Sequence, residues 1–140
     1  MKIRETSILM ARATLFIIYF WFGLLKVIGA SPASTLIEHL LSATMPFIPF
    51  SVFIIVFGLF EMTIGILFLV PDAERWVTVL FTMHMLTAFL PLFVMREVWT
   101  HPFAPTLEGQ YIIKNLALIT CVLAMWSGMS KKQKVVIPSN

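Results

Sequence analysis

The chain has 140 residues, 59% of them hydrophobic and only 12% charged, with a formal net charge of +3. Mean hydropathy is +0.94, whereas a soluble domain carries about a quarter charged residues, so a water-soluble globular fold is excluded. Four spans of about 20 residues use up most of these residues, which leaves no room among them for a soluble catalytic domain. The positive charges cluster at span ends, as topology signals and not as a nucleic-acid surface.

The first apolar stretch covers about residues 7–29. Its start resembles a signal peptide, with Lys2 and Arg4, an apolar run and then Gly29, Ala30 and Ser31. Lys26 inside the run and Pro32 argue against cleavage, so a retained helix is expected. In the following segment Thr35 and Glu38 have capping-box spacing, and Leu36, Ile37, Leu40 and Leu41 form an apolar face. The expectation is a short interfacial helix closed by Pro46 and Pro49.

The second span covers about residues 50–70 and stops at Pro71 and Asp72. The third covers about residues 75–95, with a kink expected at Pro91. Trp99, His101, Pro102, Phe103 and Pro105 then predict an ordered loop on the membrane surface. Thr106 is placed to cap the fourth span, about residues 107–128, with Glu108 in its first turn. The fold expected is all-α: one transmembrane domain over 1–140, an integral membrane four-helix up-down bundle with a short interfacial helix between helices 1 and 2. Lys2, Arg4, Arg75, Lys131, Lys132 and Lys134 fall on one side and Arg96 on the other, which predicts both termini in the cytoplasm.

Each span carries an ionisable residue: Arg12 and Lys26, Glu61, His84 and Lys114. A charge within hydrocarbon costs ~2.5–3.5 kcal/mol on insertion scales, so such groups face a bundle interior or a polar cavity. Helical spacing puts Arg12, Phe16, Tyr19, Gly23 and Lys26 on one stripe. Gly58, Glu61 and Gly65 share another face, as do His84, Thr87 and Pro91. In the last span Gln110, Lys114, Ala117, Cys121, Ala124 and Gly128 form a polar-and-small side expected to point inward.

Depth along the helices sorts these groups into two layers. The inner layer is an Arg12–Glu61 pair near Tyr19 and His84, the intramembrane proton candidates. Glu61 is too short to reach the interface and is either protonated or paired, with Arg12 the natural partner; such a pair either fixes helix register or lines a ligand cavity. His84 is either a hydrogen-bonded core histidine or a proton relay. The outer layer is a basic rim of Lys26, Arg96 and Lys114, bordered by Glu108, Gln110 and Tyr111, where each lysine either snorkels or binds a ligand. No metal site is expected: Met83, His84 and Met85 are neighbours about 100° apart on a helix and cannot share one ion. Cys121 is alone, which excludes an intrachain disulfide or a multi-cysteine cluster. No haem, flavin or iron–sulfur motif is present.

The arginine near the start of the first span, the Phe22-Gly23-Leu24-Leu25-Lys26 stretch and the run Glu61-Met62-Thr63-Ile64-Gly65-Ile66-Leu67-Phe68-Leu69 together resemble the DoxX-like family of small four-helix bacterial membrane proteins. The resemblance covers about residues 4–128. The segment Pro105-Thr106-Leu107-Glu108-Gly109-Gln110-Tyr111-Ile112-Ile113-Lys114-Asn115 looks like a signature of an uncharacterised branch. The resemblance implies the four-helix fold and the bacterial inner (cytoplasmic) membrane. It also implies a redox context, since the family is named for a subunit of a thiosulfate–quinone oxidoreductase.

Three functional readings follow. In the first, a quinone head group or small anion meets Lys26, Arg96 and Lys114, and Glu61 and His84 carry protons. With no electron carrier of its own, such a protein would work in a membrane redox complex. In the second, it is a structural or accessory subunit whose charges are internal glue. In the third, it transports lipid or a small molecule as a homo-oligomer. The lipid bilayer is a partner in all three, nucleic acid in none, and whether the chain is itself an enzyme is left open.

Overall fold

The computed structural model describes residues 2–134, with side chains over 3–129. The fold is all-α: α1 (Lys2–Val27), α2 (Ser34–Thr44), α3 (Phe50–Leu69), α4 (Glu74–Phe89), α5 (Pro91–Val94) and α6 (Leu107–Lys134). Between α5 and α6 the chain makes a 3-10 turn, Arg96–Val98, and a small antiparallel hairpin of β1 (Trp99–His101) and β2 (Ala104–Pro105). Four stretches are long and apolar enough to cross a membrane, as in a multi-pass membrane protein: Ile3–Val27, Phe50–Leu69, Glu74–Val94 and Leu107–Met129.

Local chemistry explains the helix ends. α1 begins before Ser7, which lies inside the helix: its hydroxyl bonds back to the Ile3 carbonyl at 2.9 Å and caps nothing. The expected capping box at Thr35 and Glu38 is not used: α2 starts at Ser34, with Ala33 as a cap lacking a side-chain bond. Thr106 does cap α6, its hydroxyl accepting the Gly109 N–H at 3.3 Å. Pro91 lacks an N–H and cannot continue α4, so the helix breaks at Leu90 and restarts as α5. The expected surface loop is the hairpin, held by Trp99 Nε1 donating to the Leu92 carbonyl and Thr106 N–H to the Val98 carbonyl.

The closest packing is between α1 and α3. A Cβ on Gly23 would come within 2.5 Å of the Gly58 carbonyl, and one on Gly65 within 2.8 Å of the Phe20 nitrogen. Numbers rise on one helix as they fall on the other, so the two run antiparallel. α4 runs alongside α1 in the same direction, with Glu74 at Arg12 and His84 at Tyr19. α6 runs opposite to α1, with Gly128 beside Ile8 at one end and Asn115 sharing a cavity with Tyr19 further along. Leu15, Tyr19, Ile64, Phe68, Val77, Phe81, Val122 and Met125 fill the core between these helices. A second cluster of Met95, Val98 and Ile112 lies where Leu36 and Leu40 of α2 pack against the hairpin end.

The outer surfaces suit lipid. Leu9, Ile17, Trp21, Val52, Val56, Leu86, Leu116 and Leu123 are all exposed, more apolar surface than water-facing helices present. The small series on α6 does not point inward as a set: Ala117 and Ala124 are exposed, while Cys121 packs against the core and Gly128 meets α1. The larger apolar residues of α6 (Ile112, Val122, Met125) take the core face because they bury more area.

The glycine contact sets the first testable expectation. Anything added at Gly58 meets backbone, 2.7 Å from the Gly23 carbonyl, so the helices must part. Gly58→Ala is expected to destabilise by ~1–3 kcal/mol, while Leu59→Ala, half exposed on the same helix, should cost much less. Thermal unfolding of the purified protein in detergent measures both, and equal melting temperatures would contradict the packing.

Candidate functional site

Three helices bring four polar side chains to one level. Tyr19 and Lys26 lie seven residues apart on α1, on one face. Glu61 lies on α3 between Gly58 and Gly65, where the glycines let α1 come close. His84 lies on α4. The Lys26 side chain turns back toward the start of its helix, as helical side chains do. Its Nζ donates to Glu61 Oε2 at 2.5 Å and to the Phe22 carbonyl at 3.5 Å. The other carboxylate oxygen, Oε1, is 2.8 Å from His84 Nε2, and His84 Nδ1 is 3.2 Å from Tyr19 Oη. All four are buried: Tyr19 is 3% exposed, Glu61 5%, Lys26 6% and His84 8%.

The hydrogen bonds fix a protonation pattern. Glu61, ionised against Lys26, can only accept. His84 therefore donates from Nε2, which leaves Nδ1 to accept the Tyr19 hydroxyl. The chain is then neutral overall and every member is paired. Adding a proton to His84 turns Nδ1 into a donor toward Tyr19 Oη, and the Tyr19 hydroxyl is freed to donate elsewhere. Two states thus differ by one proton and one rotated hydroxyl. Packing holds the ring in place: Phe57 stacks on His84 at 5.5 Å, and Tyr19 meets it edge-on at 5.1 Å. Lys26 also lies over the Phe57 ring, 5.6 Å from its centroid.

A cavity of about 70 Å³ borders this chain, lined by Tyr19, Glu61, His84, Met85 and Asn115 among others. It has room for a few waters, at ~10–15 Å³ each. Asn115 enters from α6, and its amide makes no hydrogen bond among the described residues. The open polar positions at the cavity are accordingly the Tyr19 oxygen and the Asn115 amide. Both are neutral. Among the described residues no group of three His, Cys, Asp or Glu gathers as a metal site.

Two sequence expectations are corrected here. Arg12 does not pair with Glu61; its Nη2 bonds Glu74 Oε1 at 2.8 Å, with Met129 Sδ at 3.7 Å. The α1–α3 glycine register puts Glu61 opposite the Tyr19–Lys26 turns, and Arg12 lies ~10 Å further along α1 at ~1.5 Å per residue. Lys26, in turn, is no part of an outer rim, because its stem reaches inward to Glu61. Arg96 is exposed in the 3-10 turn, and Lys114 is exposed over the Tyr111 ring at 4.9 Å. Glu108, Gln110 and Tyr111 are likewise exposed on α6. No hydrogen bond or ion pair joins Lys26, Arg96 and Lys114 among the described residues. The structure thus gathers Tyr19, Lys26, Glu61 and His84, and leaves the other six sequence candidates apart from them.

Sequence reasoning gave no role to Asn115, Phe57 or Glu74. Asn115 carried a usable signal, an amide within an apolar helix. Glu74 did as well, as an acid at the end of the bundle where Arg12 needs a partner. Comparison with protein-family models, with curated proteins and with solved structures finds no match for this chain.

Removing one member of a buried pair strands the other, at ~3–5 kcal/mol. Lys26→Met is expected to destabilise by that order, and Lys26→Met with Glu61→Gln to recover part of the loss. Arg12→Met and Glu61→Gln should instead add, because Arg12 belongs to Glu74. Unfolding of the single and double variants in detergent gives the coupling energies. Coupling between Arg12 and Glu61 with none between Lys26 and Glu61 would overturn the assignment.

Proposed function

We propose that this chain is a DoxX-like integral membrane four-helix up-down bundle that binds a quinone-like head group beside Tyr19 as part of a redox-linked membrane complex. Its spans are α1, α3, α4 with α5, and α6, and α2 lies at the interface. The observation that carries the reading is the buried Lys26–Glu61–His84–Tyr19 chain ending on a small cavity with the Asn115 amide. A quinone takes up two electrons and two protons on becoming a quinol. The carbonyl oxygen that gains charge needs a donor and then a proton. Asn115 is the donor. His84, once it has taken up a proton at Nδ1, passes that proton on through the Tyr19 hydroxyl, which gives its own to the quinone oxygen. The second proton, like the electrons, comes from outside this chain. Electrons come from a partner subunit, which is why the reading places the chain in a complex.

Electrostatics favour a neutral head group over an anion. Lys26 is already neutralised by Glu61, and an anion in this cavity would face the Glu61 carboxylate. Both the quinone and the anionic reading were expected on Lys26, Arg96 and Lys114; these residues do not meet, so the head group is placed beside Tyr19 instead, where an anion has no free cation to bind.

In this reading the membrane is a bacterial inner membrane, as the resemblance implies, and the charge distribution favours both termini on the cytoplasmic side. Arg4 lies 3.9 Å from the Gly128 Cβ position, and Arg75 lies at the same end, just after Glu74. Lys131, Lys132 and Lys134 follow there in sequence, and their side chains lie outside the described residues. Arg96 is at the opposite end.

A second reading, an accessory subunit, is favoured by one observation: Ala117 and Ala124 are exposed on α6. Such a small-residue strip lets a helix of another subunit approach closely.

Titration of the purified protein with an alkyl-tailed benzoquinone tests the ligand reading. Tyr19→Phe and Asn115→Leu are each expected to raise Kd about three- to ten-fold, the value of one net hydrogen bond. Arg96→Gln and Lys114→Gln should leave Kd unchanged. A chain that binds no quinone leaves the accessory reading. For topology, Lys132→Cys in a Cys121→Ala background should resist an impermeant thiol reagent in intact cells and react in inverted vesicles. Labelling from outside reverses the orientation.

A further inference from the structure

A second, larger cavity of about 420 Å³ lies along α4, α5 and α6. Its walls include Phe81, Met85, Leu86, Phe89, Phe93 and Ile119. The break at Leu90 lies within it, since Phe89 and Phe93 line it from either side. Its one hydroxyl, on Thr82, is spent on the Thr78 carbonyl at 2.7 Å. The wall therefore offers hydrocarbon and no free donor. Leu86 and Phe93 are largely exposed on the outer surface, so in a membrane the cleft is open to the acyl region.

One side chain, Met85, lines both this cleft and the small polar cavity beside Tyr19 and His84. It is buried between them. An unbranched thioether changes rotamer readily, which suits a movable partition better than a branched or aromatic residue would. The polar cavity alone is too small for more than a head group. The apolar cleft alone has nothing to orient a ligand. Together they match a molecule with a neutral hydrogen-bonding head and one hydrocarbon tail.

We infer that the seam between α4 and α6 is a lateral portal from the lipid to the buried polar cavity, gated by Met85, and that its ligand is a neutral-headed molecule whose hydrocarbon tail lies in the Phe81–Ile119 cleft. This rests on the reading of the polar chain as a ligand site. A phospholipid does not fit: its charged phosphate would have to enter a cavity of about 70 Å³ beside the Glu61 carboxylate. A water-soluble ligand does not fit either, because the approach is apolar throughout.

The probe is a long-chain alcohol carrying a mid-chain diazirine, photolysed with the full-length protein in phosphatidylcholine nanodiscs. Labelled peptides are mapped by mass spectrometry. Labels are expected on the segments around Leu86 and Ile119. Leu86→Trp, on the exposed rim, and Ile119→Trp, deeper in, fill the cleft and should each cut this labelling about tenfold, with melting temperature as the folding control. Tyr19→Phe and Asn115→Leu should cut it several-fold, because the head loses its anchor. A phosphatidylcholine with the same diazirine should label the outer helix faces with no preference for the cleft.

Even labelling over the outer faces overturns the portal, as does equal cleft labelling by the phospholipid. Cleft labelling that ignores Tyr19→Phe and Asn115→Leu also overturns it, since tail and head sites would then be unconnected. The quinone reading fails separately. If a tail-less benzoquinone binds and responds to Tyr19→Phe while the alcohol labels evenly, the cavity reading survives and the portal is wrong. If no quinone binds but the alcohol labels the cleft and responds to Tyr19→Phe, the portal stands and the head group is another neutral one.

Discussion

The bond between Lys26 and Glu61 is the interaction on which the rest of this structure depends. Each group alone would be an uncompensated charge among apolar side chains, which is strongly unfavourable. Meeting at 2.5 Å, they let α1 and α3 carry charge at the level where the helices are closest. The glycines at 23, 58 and 65 make that meeting possible, because a Cβ at any of them would strike backbone of the facing helix. Pair and glycines thus specify one register together. Sliding α1 along α3 by a turn would break the ion pair and press side chains onto the backbone.

The remaining polar groups follow from this pair. A carboxylate holding one lysine has a second oxygen to satisfy, and His84 satisfies it. A histidine donating from Nε2 has an acceptor at Nδ1, and Tyr19 satisfies that. Each buried group makes a demand on the next, until the demand ends at the cavity beside Asn115. Such a chain is rigid where it is paired and adaptable at its open end. The Arg12–Glu74 bridge, at the other end of α1, is separate and about one-third exposed on the acid side, so it is expected to contribute less.

The two cavities divide along the same chemistry. The polar one borders the chain, where three helices carry hydrogen-bonding groups. The apolar one lies at the Pro91 break, where a lost backbone bond and a gap between aromatic side chains leave the α4–α6 seam less filled. Met85 stands between them because it is the α4 residue next to His84, on the side of the helix toward α6.

Much of the architecture was legible in the sequence. The four apolar stretches, the short helix after the first, the break at Pro91 and the cap at Thr106 all follow from local chemistry: length of apolar run, a missing N–H, a hydroxyl at the right offset. So did the meeting of Tyr19, Glu61 and His84, which are costly residues in apolar helices and must find one another; Arg12, expected with them, stands apart and Lys26 takes its place. The pairing was not legible. Arg12 and Lys26 are both cations on the same stripe of α1, and helical periodicity cannot choose between them. That choice depended on the axial register of α1 against α3, which is set by steric contact between glycines and facing backbone, and on a lysine stem long enough to reach inward. The rim of Lys26, Arg96 and Lys114 failed for the same reason, since equal depth along separate helices does not bring side chains to the same side. Residue type decided that a buried polar chain must exist; only helix–helix contact decided which cation belongs to it and that Asn115 and Met85 border its open end.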